Sequence, residues 1–176
     1  MAPGLHPHRL SGDTTVCSYC GCEAITVIGR LMAEHSEIVT ATGALRRATT
    51  AHDAAGAARH AETLAALVRS HTAAEERGLF TELRRDPGFA THIDGLCHEH
   101  EEIGAGLDRI RAGDLSGVEA LEHLLRRHID REDNGIFPAA AVSLDGPAWE
   151  RVVRDTGDAD ADTAGTASRG RIAGSG

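Results

Sequence analysis

The sequence predicts an all-α protein: an up-down-up-down four-helix bundle with an irregular N-terminal leader and a disordered C-terminal tail. Three observations lead there. Apolar residues recur at helical spacing in four successive stretches, the first two stretches repeat as the last two, and each stretch carries one histidine on its apolar face.

Residues 1–22 are rich in Pro, Gly, His and Cys and read as the leader. The bundle is expected over residues 23–141. Its first helix runs from about Glu23 to Ala48, with Ile28, Leu31, Met32, His35, Ile38, Val39, Thr42 and Leu45 on one seam. The second covers roughly Asp53–Leu83, with Leu64, Leu67, Val68, His71, Ala74, Glu75 and Leu79. Asp86-Pro87 reads as an N-cap followed by proline at the first helical position. It opens a third helix with the seam Ile93, Leu96, Cys97, His100, Ile103, Leu107 and Ile110. After the turn Ala112-Gly-Asp114, Ser116-Gly-Val-Glu119 fits a capping box for the fourth helix. That helix carries Leu121, Leu124, Leu125, His128, Glu132 and Ile136 and is expected to stop near Pro138. Residues 142–155 are expected to add a short helical appendage that packs Trp149 on the bundle. Residues 156–176 hold too little apolar content to order themselves.

The repeat is specific. Leu31-Met-Ala-Glu-His-Ser-Glu-Ile38 aligns with Leu96-Cys-His-Glu-His-Glu-Glu-Ile103. His71-Thr-Ala-Ala-Glu-Glu-Arg-Gly-Leu-Phe80 aligns with His128-Ile-Asp-Arg-Glu-Asp-Asn-Gly-Ile-Phe137. Both later segments read His-x-x-x-Glu, an acid, any residue, Gly, Leu or Ile, Phe. Helical composition alone would not match the glycines and the polar residues, so two related helical hairpins packed face to face are expected.

Composition limits the function. Hydrophobic residues make up 41% of the 176 residues, ordinary for one globular domain. The net charge is −9, which argues against nucleic acid or an anionic membrane as partner. The absence of a long apolar stretch or a signal-like N-terminus makes the cytoplasm the expected compartment. The four cysteines are then expected as thiols or metal ligands.

The polar interruptions of the seams carry the chemistry. His35, His71, His100 and His128 come one from each helix, and Glu75 and Glu132 follow the second and fourth at i+4, on the same face one turn on. Six polar groups in a small core are costly unless satisfied, and metal ions satisfy them. Each carboxylate can bridge two cations, and mixed nitrogen and oxygen donors suit iron ahead of manganese or zinc. The alternative is a set of hydrogen-bonded core polars in a metal-free bundle, which two matching sets of three disfavour.

This pattern closely resembles the haemerythrin-like family, the HHE cation-binding domain, over about residues 25–140. The resemblance implies that His35, His71, Glu75, His100, His128 and Glu132 ligate an oxo- or hydroxo-bridged pair of Fe ions. Oxygen-carrying members have a fifth histidine one turn beyond that of the third helix, where this sequence has Gly104, and an aspartate at i+5 where it has Glu132 at i+4. The chain therefore resembles the four-histidine, two-glutamate subset. The resemblance implies binding or sensing of O2, NO or peroxide at an open iron position. The alternative is an enzyme-like role in peroxide or NO turnover, or iron delivery to damaged iron–sulfur centres. No protein partner is named by the residues.

Other candidates divide less sharply. His60 lies eleven residues before His71, roughly 16 Å along the helix, too far to share the site. His52, His92, His98 and His123 fall off the seams and are expected in solvent. Glu34 and Glu99 either orient an imidazole or lie on solvated helix flanks. Cys97 is expected as a small core residue. In the leader, Cys17, Cys20 and Cys22, with His8 as a fourth candidate, either bind a metal, act as redox thiols or have no such role.

Overall fold

The computed structural model describes residues 25–169, with side chains through residue 157. The leader cysteines and His8 lie outside them. The described residues form α1 (Thr26–Thr50), α2 (Ala54–Glu75), a π turn (Glu76–Phe80), α3 (Thr81–Leu83), α4 (Pro87–Arg111), a 3-10 turn (Leu115–Gly117), α5 (Val118–Arg131), a second π turn (Glu132–Ile136), α6 (Phe137–Ser143) and α7 (Gly146–Arg169). From α1 to α6 four rods result, because each π turn joins its flanking helices into one continuous path, and α7 is a fifth helix packed on α2 and the first π turn. The rods close a square in which α1 packs on α2, α2 on α4, α4 on α5 and α5 on α1. The short connections make neighbours antiparallel, which is the up-down-up-down order.

The caps explain where the rods begin. Asp53 accepts a hydrogen bond from Gly56 N at 2.8 Å, and Asp86 accepts one from Gly88 N at 2.8 Å with Pro87 following. His52, at φ 54°, turns the chain between α1 and α2, and Gly113, at φ 101°, does so after α4.

Two expectations are corrected. The capping box at Ser116–Glu119 does not form: Asp114 accepts instead from Ser116 N and Oγ, at 3.1 and 2.6 Å, and starts a 3-10 turn that leads into α5. An aspartate two residues upstream reaches these donors first. Pro138 does not stop the fourth rod, because the π turn leaves it at the start of α6, where a proline lacks no partner. The last helix, α7, runs through Arg169, and residues 170–176 of the expected tail lie outside the described residues. Val152 and Thr156, both buried, anchor α7 to the bundle.

The core is split in two. One apolar cluster gathers Ile28, Leu31, Met32, Leu79, Phe80, Ile93, Leu96 and Phe137, and Val152 of α7 joins it, with Trp149 packed against it. The other gathers Ile38, Leu45, Leu64, Val68, Ile103, Leu107, Leu121 and Leu125. On every rod the histidine falls between a residue of the first cluster and one of the second: Met32 and Ile38, Val68 and Leu79, Leu96 and Ile103, Leu125 and Ile136. The polar groups are thus walled off at mid-bundle. No helix among the described residues is long and apolar enough to cross a membrane.

Candidate metal centre

All six seam residues meet. His35, His71, His100 and His128 are 2–7% exposed, and Glu75 and Glu132 are fully buried. His35 Nε2 lies 3.1 Å from Glu132 Oε2, and His71 Nε2 lies 3.3 Å from Glu75 Oε2. His100 Nε2 lies 3.4 Å from Glu75 Oε2, and His128 Nε2 lies 3.2 Å from Glu132 Oε1. These residues form two donor sets, His35, His71, Glu75, Glu132 and His100, His128, Glu75, Glu132, each with its ligand atoms within 4.8 Å of one another. They share both glutamates.

The opposite nitrogen of each ring is held by a carboxylate. Nδ1 of His71 meets Glu34 at 2.8 Å and Nδ1 of His128 meets Glu99 at 2.9 Å. Nδ1 of His100 meets Glu76 at 2.7 Å and Nδ1 of His35 meets Asp133 at 2.9 Å. These contacts obey the repeat: the acid before the first histidine of each hairpin holds the second one. The acid after each seam glutamate reaches across to the other hairpin. Phe137 stacks on His35 and Phe80 on His100, with ring centroids 5.6 and 5.7 Å apart. Sequence reasoning raises Glu34 and Glu99 but misses Glu76, Asp133 and the stacking. The signal lies in the repeat, where an acid and a Phe recur at fixed offsets from His-x-x-x-Glu.

The π turns make this possible. Each inserts one extra residue into its turn, rotating the residues beyond it by about 100°. Glu75 can then face the centre while Gly78, Leu79 and Phe80 all return to the core. π turns are frequent at functional sites.

The electrostatics call for cations. Both oxygens of Glu75 and of Glu132, and Nε2 of His35 and of His71, are buried with no hydrogen-bond partner. Carboxylates in such a place are severely destabilised unless positive charge stands beside them. In the metal-free chain that charge is a proton on imidazole. Burial works against the charged form, yet the Asp133 and Glu132 carboxylates beside its two ring nitrogens push His35 up to about 9. His71, with Glu75 and Glu34 beside it, and His100, with Glu75 and Glu76, are pushed up to about 10 against the same burial. Burial likewise opposes ionisation of Glu75, but the His71 and His100 imidazoles hold it well below the usual range. Orphaned lone pairs, anionic charge and oriented imidazoles fit a metal.

Beside the donors lies a cavity of about 10 Å3, walled by His35, His71, His128, Ile38, Val68, Thr72, Ile103, Leu125 and Ile129. That is room for roughly one water. A Cβ on Gly104 would meet nothing within 4 Å among the described residues, and its neighbour Ile103 lines the cavity. Other histidines are placed as expected: His52, His92, His98 and His123 are exposed and His60 is half-buried at a distance. Cys97 is half-buried rather than fully in the core, with Arg84 NH2 3.5 Å from its Sγ.

Fold and site define a class of protein, a four-helix bundle with a metal-cation site in its core. The chain belongs to the hemerythrin HHE cation-binding domain family, whose model matches residues 26–140. No curated protein and no solved structure matches it. The match ends before α7.

Proposed function

We propose that this chain holds two iron ions through His35, His71, Glu75, His100, His128 and Glu132 and binds or senses O2, NO or peroxide there. The observation that carries the reading is the pair of donor sets sharing two buried glutamates whose oxygens have no other partner. Two imidazoles per set, with shared carboxylates between them, suit iron by donor type. Bound there, the irons would supply redox chemistry and a place for a small exogenous ligand.

This chain's own residues select for size and polarity. The small cavity is walled on its outer side by Ile38, Val68, Ile103 and Leu125, which favours a diatomic or similarly small ligand over any larger substrate. Its lining supplies no acid or base beyond the imidazoles, which favours binding and sensing over turnover. Burial of all six donors works against the alternative of iron delivery, since a donor must release its metal readily. A cytoplasmic setting completes the proposal.

Titration of the iron-loaded protein with azide or NO tests it, followed by optical absorbance. Stoichiometric spectral change with negligible turnover of peroxide or NO is expected. Rapid multiple turnover would replace the sensing reading with an enzymatic one.

A further inference from the structure

The inner cavity does not stand alone. Leu125 walls it on one side and on the other borders a constriction between α1 and α5, with Val39, Thr42, Glu122 and Arg126. That constriction leaves no room for a water. Glu122 and Arg126 in turn line a surface cleft of about 480 Å3 whose walls include Arg46, Ser116 and His123. The three spaces follow one groove, and from His128 to Glu122 they span six residues of α5, about 9 Å.

The groove is polar where its counterpart is not. The repeat aligns Thr42 with Leu107 and Glu122 with Ala65, so the matching groove between α4 and α2 is apolar at both positions. Glu122 is only 7% exposed. Arg126 donates to its Oε1 from Nε at 3.1 Å and from NH2 at 2.8 Å, while Arg46 Nε lies 3.1 Å from Oε2. Both arginine side chains are 56% exposed, so they can swing into water without losing hydration. A buried carboxylate held by two half-exposed cations costs desolvation that an alanine would not. The bundle is packed with alanine at the same place in its other half, so folding does not require the charge.

We infer that the groove between α1 and α5 is the entry route for the small ligand, closed at its mouth by Glu122 latched between Arg46 and Arg126. The inference rests on the ligand-binding reading above. Opening needs only the release of Glu122 from the arginines and a small shift beside Thr42 and Leu125. Because a latch raises the barrier in both directions, it changes rates and leaves affinity alone.

The test uses the full chain with Glu122→Ala, the residue found at the matching position, and Glu122→Gln, which keeps the bulk and weakens the ion pairs. Stopped-flow azide binding to the iron-loaded protein is expected to show association and dissociation both faster by about tenfold in Glu122→Ala, with Kd unchanged, a barrier change of about 1.4 kcal/mol. Glu122→Gln should fall between. Val39→Phe, which fills the constriction, should slow both rates. Unchanged rates in all three variants, with the azide spectrum intact, would overturn the route.

A second readout needs no metal. Thr42→Cys in the metal-free protein should react with a small thiol reagent faster when Glu122→Ala is added, the site being read by mass spectrometry. Equal labelling rates would overturn the route. If azide produces no spectral change in the wild-type protein, the ligand-binding reading fails, and labelling alone decides whether the groove opens.

Discussion

Asp133 Oδ1 lies 2.9 Å from Nδ1 of His35, while Oε2 of the preceding residue, Glu132, lies 3.1 Å from Nε2 of the same ring. Two consecutive acids on one π turn thus grip both ends of an imidazole from another helix. The ring can neither rotate nor change which nitrogen faces the centre.

Removing this hold should weaken metal binding without removing a ligand. Asp133→Ala is expected to lower metal affinity by roughly 10–100-fold, and Asp133→Asn, which keeps an acceptor for the Nδ1 proton, by less. Competition against a chelator measures both. Equal affinity in wild type and Asp133→Ala would show that the contact is incidental.

The two π turns differ in their cover, and stability should report it. A Cβ on Gly78 would overlap Thr156 Oγ1 of α7 and come within 3.2 Å of Val152 O, whereas at Gly135, on the other turn, it would meet nothing within 4 Å among the described residues. Gly78→Ala is expected to cost about 1–3 kcal/mol. Adding Thr156→Ala should recover part of that loss. Gly135→Ala should be neutral or stabilising by up to about 1 kcal/mol. Thermal melts of the metal-free proteins decide; equal effects at both glycines would contradict the docking of α7.

The metal-free protein should lose stability as pH rises. Imidazoles pushed up to about 9 in His35 and about 10 in His71 and His100 bind protons more tightly when folded than at their ordinary 6.5. Their contribution is full below about 6.5, falls progressively above it, and is gone once pH passes through 9–10. Denaturant melts between pH 6 and 10 should show this decline, and metal should remove most of it by replacing the protons. A flat profile for the metal-free chain would argue against these buried pairs.

Much of this was legible in the sequence, for a physical reason. His35, His71, His100 and His128 interrupt apolar seams that had to be buried, so their inward placement followed from helical periodicity. The partners of Nδ1 were harder to read. Glu34 sits beside His35 in sequence yet holds His71, because adjacent residues on a helix point about 100° apart and meet different neighbours. Glu76 and Asp133 reach their rings through π turns, which no period of 3.6 reveals. The docking of α7 had no local signature, because apolar content is low past Val153 and the anchor at Thr156 is a tertiary contact with Gly78.

Oxygen should oxidise this protein rather than ride on it. α4 offers His100 alone, with Gly104 one turn on and a Cβ there facing open space. The reduced, iron-loaded protein exposed to air is expected to become oxidised and to stay so when oxygen is withdrawn. Absorbance that cycles with oxygen pressure over repeated rounds would restore a carrier role.

The central claim is that Glu75 and Glu132 are shared between two metal positions. Iron analysis of purified protein beside the Glu75→Ala and Glu132→Ala variants, with optical spectra of each, tests it most directly. About two irons per chain are expected in the wild type, and each variant should lose most of them, since each removes a donor common to both sets. Full iron retention in both variants, or a wild-type chain that takes up none, would contradict the account.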